Sequence, residues 1–208
     1  MKNYFLVGHP LVHHKLAYLR QYKTGPKEFR SLMEEVTTLL LYEATRSLPT
    51  VDTEVETPIG RARGKAITEK CDFIVILRAG QGMVTGALKL IPSAKVGIVG
   101  MYRDHNTLQP IQYYCNLPDN LGARHSIILD PLLATGGTAN EVINLLKQEG
   151  ARDIKIISLI ASPEALNTLS HTHPEVEVYL ASIDKGLDAN GYIVPGLGDA
   201  GDRLFGTD

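Results

Sequence analysis

With 208 residues, 44% of them hydrophobic and 21% charged, the chain has the bulk and balance of one sizeable globular domain. A net charge of −2 provides no basic surface for nucleic acid or an anionic membrane, so neither is an expected partner. The longest apolar runs, Phe73 to Leu77 and Ile154 to Ala161, are far too short to span a bilayer, and Met1 to Phe5 has no signal-peptide character. Cys71 and Cys115 lie far apart in sequence and form no ligand motif, which predicts free thiols in a reducing, cytoplasmic setting.

In chain order, residues 12–20 and 26–47 read as helices separated by Thr24-Gly25-Pro26, with Pro26 suited to a first helical turn. Phe29, Leu32, Met33, Val36, Leu39, Leu40 and Ala44 recur at helical spacing. Leu39, Leu40, Leu41 and Tyr42 place apolar groups on more than one face, which predicts burial against a partner subunit. Pro49 ends this helix. Val51 to Thr57 alternates like a half-buried strand, Pro58-Ile59-Gly60 turns it, and Arg61 to Ile67 reads as its hairpin partner.

Beyond residue 70 the rhythm becomes strand–loop–helix. Strands are predicted at Phe73–Leu77, Lys95–Met101, Ser126–Leu129, Ile154–Ile160 and Val176–Leu180, and helices at Gly82–Leu90, Thr138–Gln148 and Pro163–Ser170. This pattern predicts an α/β fold with a central parallel five-stranded sheet flanked by helices, its ligands beyond the carboxyl ends of the strands. We expect a single domain: an N-terminal helical arm and β-hairpin (1–70), a core (71–182) and a C-terminal hood (183–208). The hood is glycine-rich and acidic. Its apolar members Tyr192, Ile193, Val194, Leu197, Leu204 and Phe205 argue for an ordered cap.

One stretch carries chemistry. The apolar run Ile127-Ile128-Leu129 ends in Asp130, and Pro131-Leu132-Leu133-Ala134-Thr135-Gly136-Gly137-Thr138 leads directly into a helical pattern. A strand delivering a glycine loop to a helix N-terminus presents amides and hydroxyls that suit a phosphate. Asp130 would repel a bare phosphate, so it should serve a hydroxylated sugar, a metal ion, or both.

Asp130 to Thr138 resembles the ribose-5-phosphate loop of the type I phosphoribosyltransferases, and the wider match is to their uracil-specific family. Leu77-Arg78-Ala79-Gly80-Gln81-Gly82-Met83, Met101-Tyr102-Arg103-Asp104 and the segment from Gly191 to Thr207 support it, and the similarity runs from His9-Pro10-Leu11 to the C-terminus. The resemblance implies the type I phosphoribosyltransferase fold. It also implies conversion of uracil and 5-phospho-α-D-ribose 1-diphosphate (PRPP) to UMP and pyrophosphate, with magnesium, in pyrimidine salvage.

By the same resemblance, PRPP is bound by Arg78, Arg103, Asp130, Pro131, Leu132, Leu133, Ala134, Thr135, Gly136, Gly137, Thr138 and Asp199. Uracil is bound by Tyr192, Ile193, Gly198, Asp199 and Ala200. Asp199 and Arg103 are the catalytic candidates, Asp199 as acceptor of the uracil N1 proton. Asp130 is followed by Pro131, where many relatives carry a second acid. Magnesium is therefore expected to ride mainly on the diphosphate of PRPP, with no dedicated protein site.

Residues 104–116 are the expected flap; His105, Asn106 and Asn116 depart there from the family pattern. The resemblance further implies a homodimer or homotetramer and allows GTP as an effector. The run Lys15, Arg20, Lys23, Lys27 and Arg30 reads as a solvated face or subunit contact, and the histidines at 9, 13, 14, 171 and 173 complete no metal set. Two alternatives stay open: an enzyme of this fold acting on another base, and a regulator that senses PRPP without catalysis. The whole reading requires the loop after the third core strand and the last twenty-odd residues to share a cleft.

Overall fold

A computed structural model describes residues 3–103 and 110–207. It opens with a short strand, β1 (Tyr4–Leu6). His9 then caps α1 (Pro10–Arg20): its Nδ1 accepts the Leu11 N–H at 3.2 Å, and Pro10 takes an early position where no helical N–H bond is required. Pro26 starts α2 (Pro26–Ala44) in the same way. This helix stops short of the expected residue 47. Lys155 Nζ takes the Ala44 carbonyl at 3.0 Å, and Thr45 Oγ1 donates to the Leu41 carbonyl at 2.8 Å, so the exposed carbonyls of the last turn are satisfied there.

The predicted hairpin forms from β2 (Thr50–Thr57) and β3 (Gly60–Ile67), in register from Thr50 opposite Ile67 to Thr57 opposite Gly60. Its expected half-burial does not occur. Among the described residues the two strands pair only with each other, and Val51, Val55 and Ile67 are exposed. A two-stranded ribbon outside the main sheet has no core to alternate against.

The strand–helix rhythm then runs through β4 (Lys70–Leu77), α3 (Gln81–Leu90), β5 (Lys95–Arg103), β6 (Pro110–Asn116), β7 (Arg124–Leu129), β8 (Leu132–Leu133), α4 (Gly137–Gln148), β9 (Asp153–Ala161), α5 (Pro163–Thr172) and β10 (Glu177–Ile183). The hood contributes β11 (Gly186–Leu187), β12 (Ile193–Val194) and α6 (Ala200–Phe205). The main sheet has the order β1-β10-β9-β7-β4-β5-β6, with β8 beside β9. The five predicted strands are its five central ones, all parallel. Two further edges were not anticipated. Strand β1 adds in parallel to β10, and β6 runs antiparallel to β5, so 110–116 of the expected flap is sheet. Asn116 lies opposite Ile98, roughly 16 Å down the strand from its carboxyl end. Residues 104–109, with His105 and Asn106, lie outside the described residues.

Period-two alternation builds a core on both faces of the sheet. Phe73, Val75, Ile157 and Leu159 face Leu16 and Leu19 of α1 and Met33, Val36 and Leu40 of α2. Ile74, Ile76, Ile154 and Ile156 face Val142 and Leu146 of α4 and Leu166 and Leu169 of α5. Each fully buried Leu or Ile contributes about 1.5–3 kcal/mol against the entropy of ordering it. The N-terminal helices are thus a layer of the core, not an arm. Leu40 and Leu41 are fully buried within their own chain, and of the four residues expected to meet a partner only Tyr42 is exposed. No helix among the described residues is long and apolar enough to cross a membrane.

Candidate active site

The carboxyl ends of β4, β5 and β7 open into a cavity of about 240 Å³. Its lining brings together Arg78 and Ala79 after β4, Met101 of β5, Asp130 with Leu132 to Gly136 and Thr138 after β7, and Asp199 to Gly201 at the start of α6. The loop after the third core strand and the C-terminal hood therefore face one cleft.

The loop's shape follows from how it is strapped down. The Pro131 carbonyl accepts the N–H groups of Leu159 and Ile160 at 3.0 and 3.2 Å, the Leu133 carbonyl accepts that of Ser162 at 2.9 Å, and Ser162 Oγ donates to the Ala134 carbonyl. Pro131, Leu133 and Gly136 are buried, Leu132, Ala134, Thr135, Gly137 and Thr138 are half-buried, and the hydroxyl-bearing Thr135 and Thr138 both line the cavity. Gly136 has φ +82°, and α4 begins directly behind it. A side chain there would be strained, and its Cβ would press on the α5 backbone at Ala165. On the other wall, a Cβ at Gly80 would run into the carbonyl oxygens of Leu129 and Ile76. Only glycine lets the loop after β4 lie this close to the end of β7.

Asp130 is half-buried at the head of the loop. Burial pushes its carboxyl up to about 7, outweighing the Leu132 N–H, which pulls the other way. Its charge is therefore easily lost near neutrality. Asp199 Oδ1 caps α6 by accepting the Asp202 N–H at 2.9 Å, and the residue also lines the cleft. Arg78 Nη2 meets Asp202 Oδ1 at 3.0 Å. Thr207 Oγ1 donates to the same oxygen at 2.7 Å, and these bonds outweigh desolvation to hold the Asp202 carboxyl below the usual range. Asp202 was not anticipated. Its signal is its position three residues after Asp199, where a short helix brings both acids beside one arginine.

The remaining predicted residues are placed less uniformly. Ala200 is buried against the cleft. Gly198, with φ +81°, borders a second cavity of about 540 Å³ on the outer side of the hood. The Ile193 side chain belongs to the core, and Tyr192 is 47% exposed with its N–H and carbonyl both engaged by Asp188. Arg103 ends β5, and its side chain lies outside the described residues. Arg20 is half-buried, whereas Arg30 is exposed as a solvated face requires. Both reach the hood, at Asp184 and at the Leu204 carbonyl respectively. Among the described residues no group of three or more His, Cys, Asp or Glu side chains is placed to hold a metal ion.

Comparison with known proteins bears on what this cleft does. The family model for uracil phosphoribosyltransferase matches residues 6–207. The uracil phosphoribosyltransferases of Thermoanaerobacter sp. (strain X514) and Geobacillus sp. (strain WCH70) are 55% and 54% identical to the chain, over 99% and 100% of both partners respectively. Among solved structures, the AQ2163 protein of Aquifex aeolicus superposes with a TM-score of 0.92 at 37% identity, covering 97% of each chain. A match over almost the whole length, hood included, leaves one conclusion: the chain belongs to the uracil phosphoribosyltransferase family.

Proposed function

We propose that the chain transfers the phosphoribosyl group of PRPP to uracil, forming UMP and pyrophosphate in pyrimidine salvage. The observation that carries this reading is the single cleft in which the strand-to-helix loop and the hood meet. The amides of the loop and the hydroxyls of Thr135 and Thr138 bind the 5-phosphate at the N-terminus of α4. Asp130 accepts hydrogen bonds from the ribose hydroxyls. Arg78 and Arg103 bind the diphosphate, where forked guanidinium contacts suit a leaving group gaining charge. Arg78 must exchange Asp202 for the diphosphate to do so.

Uracil is read by the backbone of Gly198 and Ala200 in the hood. Ile193 has its side chain in the core and contributes through its backbone, whereas Tyr192 contributes through its half-exposed ring. Reading a neutral edge with fixed amides and carbonyls rejects cytosine, whose exchanged donor leaves buried polar atoms unpaired.

In the reaction the bond from N1 of uracil to the anomeric carbon forms as the bond to the diphosphate oxygen breaks, with charge building on the ribose. Catalysis is then mostly positioning and electrostatic stabilisation. The N1 proton leaves toward Asp199. Asp199→Asn keeps the helix cap, since asparagine caps as well as aspartate, and removes the proton acceptor together with its charge. We expect turnover to fall; unchanged turnover across the pH range would remove Asp199 from proton transfer.

The cleft carries two carboxylates, Asp130 and Asp199, hard oxygen donors that fit magnesium arriving with the diphosphate and its waters. When bound, the ion supplies neutralisation of the departing diphosphate. The exposed apolar residues of the β2–β3 hairpin support a homodimer or homotetramer. The free thiols Cys71 and Cys115 are consistent with a cytoplasmic setting.

The deciding experiment follows nucleotide formation from PRPP with uracil, cytosine, hypoxanthine, adenine and orotate in turn, with and without magnesium and GTP. UMP from uracil alone is the expected result. Activity with a purine and none with uracil would reassign the base, and binding of PRPP with no product from any base would favour a sensor.

A further inference from the structure

The outer side of the hood is tied to the end of α1 by one ion pair. Arg20 Nη1 donates to Asp184 Oδ2 at 2.6 Å and to the Gly196 carbonyl at 2.7 Å, while Nη2 donates to Asp184 Oδ1 at 2.6 Å and Ser182 Oγ at 3.0 Å. Asp184 Oδ2 accepts the Gly196 N–H at 2.8 Å. Both backbone groups of Gly196 are therefore held by this pair. Gly196 has φ +56°, and a Cβ there would run into the Ile193 carbonyl, so the turn is tight as well as tethered.

Arg203 treats the next residue alike. Its Nη1 donates to the Leu197 carbonyl at 2.8 Å, and its Nη2 to the Gln21 carbonyl just beyond α1 at 2.6 Å. Carbonyls turned outward to guanidinium groups cannot turn into the cleft. The tethers end at Leu197, immediately before Gly198, Asp199 and Ala200.

We propose that Arg20 and Asp184 are positioning residues for base recognition: their forked pair fixes the Gly196 turn so that the backbone of residues 198–200 meets the edge of the pyrimidine. This rests on the reading of that loop as the base site. The Asp184 side chain is only 3% exposed and that of Arg20 24%, so the pair is largely shielded from solvent and holds its geometry better than a surface contact. A lysine at position 20 would keep the charge. It could not bridge both carboxylate oxygens, the Gly196 carbonyl and Ser182 at once, because an ammonium lacks the rigid fork.

The test is steady-state kinetics on the full-length protein and its Arg20→Lys variant, with the Michaelis constants for uracil and PRPP measured separately alongside the denaturation midpoint. Arg20→Lys is expected to raise the KM for uracil by about tenfold or more, the change equivalent to one charge-assisted bond, while that for PRPP stays within about twofold. A merely structural tether predicts a lower midpoint with both constants unchanged, and that result overturns the proposal. So does full retention of the uracil KM by lysine, which would make charge alone sufficient, or a parallel rise in both constants.

If Arg20→Lys fails to fold, Ser182→Ala removes one bond from Arg20 and one from Asp184. It should then show a smaller rise confined to uracil, and no rise would again overturn the proposal. A wild-type protein that makes no UMP from uracil would instead sink the base assignment, before any variant is compared.

Discussion

Asp130→Asn should lose activity and gain stability at the same time. The activity loss follows from the proposed contact with the ribose hydroxyls. A carboxylate can accept a bond from each hydroxyl, whereas an amide accepts with its oxygen only and is uncharged. Losing charge-assisted bonds worth about 1.5–3 kcal/mol predicts a fall of roughly 10- to 100-fold in kcat/KM for PRPP.

The gain in stability follows from burial. The folded-state pKa of Asp130 is about 7, above the ordinary 3.8, so the folded protein holds this proton more tightly than the unfolded chain does. Stability linked to this group is therefore complete below about pH 4, declines as pH rises, and is fully lost above about pH 7. Asparagine does not titrate and escapes that loss. Discounted for its partial exposure, the advantage of the variant at pH 8 is on the order of 1–2 kcal/mol and shrinks toward pH 4. Urea denaturation at pH 5 and pH 8, together with kcat/KM for PRPP, measures both effects. A variant no more stable than wild type at pH 8 would refute the burial argument; one with wild-type kcat/KM would refute the ribose contact. The same titration predicts that kcat/KM of the wild type for PRPP rises between pH 6 and 8, as the carboxylate that accepts the hydroxyl bonds forms.

The centre of this fold is legible in the sequence because its strands are buried on both faces. Runs such as Phe73-Ile74-Val75-Ile76 and Ile154 to Ile160 are apolar at nearly every position and are separated by helical spacing, which points to a parallel sheet with two covered faces. The phosphate loop is legible for a local reason, since strand, acid, glycines and helix are contiguous in the chain. Elements that depend on distant partners are not. Tyr4 to Leu6 is too short and too exposed to announce a strand, and only the free edge of β10 makes it one. Val51 and Val55 alternate as strand residues do, but alternation cannot tell whether anything packs on the apolar side. Arg20 reads as one more basic residue on an early helix until Asp184, 164 positions later, is folded against it. Pairing of Arg78 with Asp202 spans 124 positions and is likewise a product of the fold. The residues that touch a proposed substrate thus carry local signatures, whereas those that aim them do not.

Asp72→Ala carries the largest expected effect on folding. Asp72 is fully buried near the start of β4, and Arg124 opens the neighbouring β7. Arg124 Nε donates to Asp72 Oδ2 at 2.6 Å, and its Nη2 bonds both Asp72 Oδ1 and the Cys71 carbonyl, the latter at 3.2 Å. Bonding to the carboxylate outweighs burial and raises the Arg124 pKa, as expected of a charge stabilised by its partner. Removing Asp72 leaves a guanidinium with 10% side-chain exposure and no counter-charge. Breaking such a pair costs about 3–5 kcal/mol, a large part of the roughly 5–15 kcal/mol by which a domain is stable. The double variant Asp72→Leu, Arg124→Met removes both charges together. It is expected to lie within about 1 kcal/mol of wild type or above it, because an apolar pair of similar volume avoids the desolvation that the ion pair must overcome. Asp72 is also roughly 16 Å along β4 from the cleft end at Leu77, so kcat and both Michaelis constants per folded molecule should be unchanged in the double variant. Urea denaturation of the two proteins separates the contribution of the pair from the penalty of orphaning one member. If Asp72→Ala loses less than about 1 kcal/mol, water reaches Arg124 well enough to solvate it, and the sheet's amino-terminal edge is more open than its burial indicates.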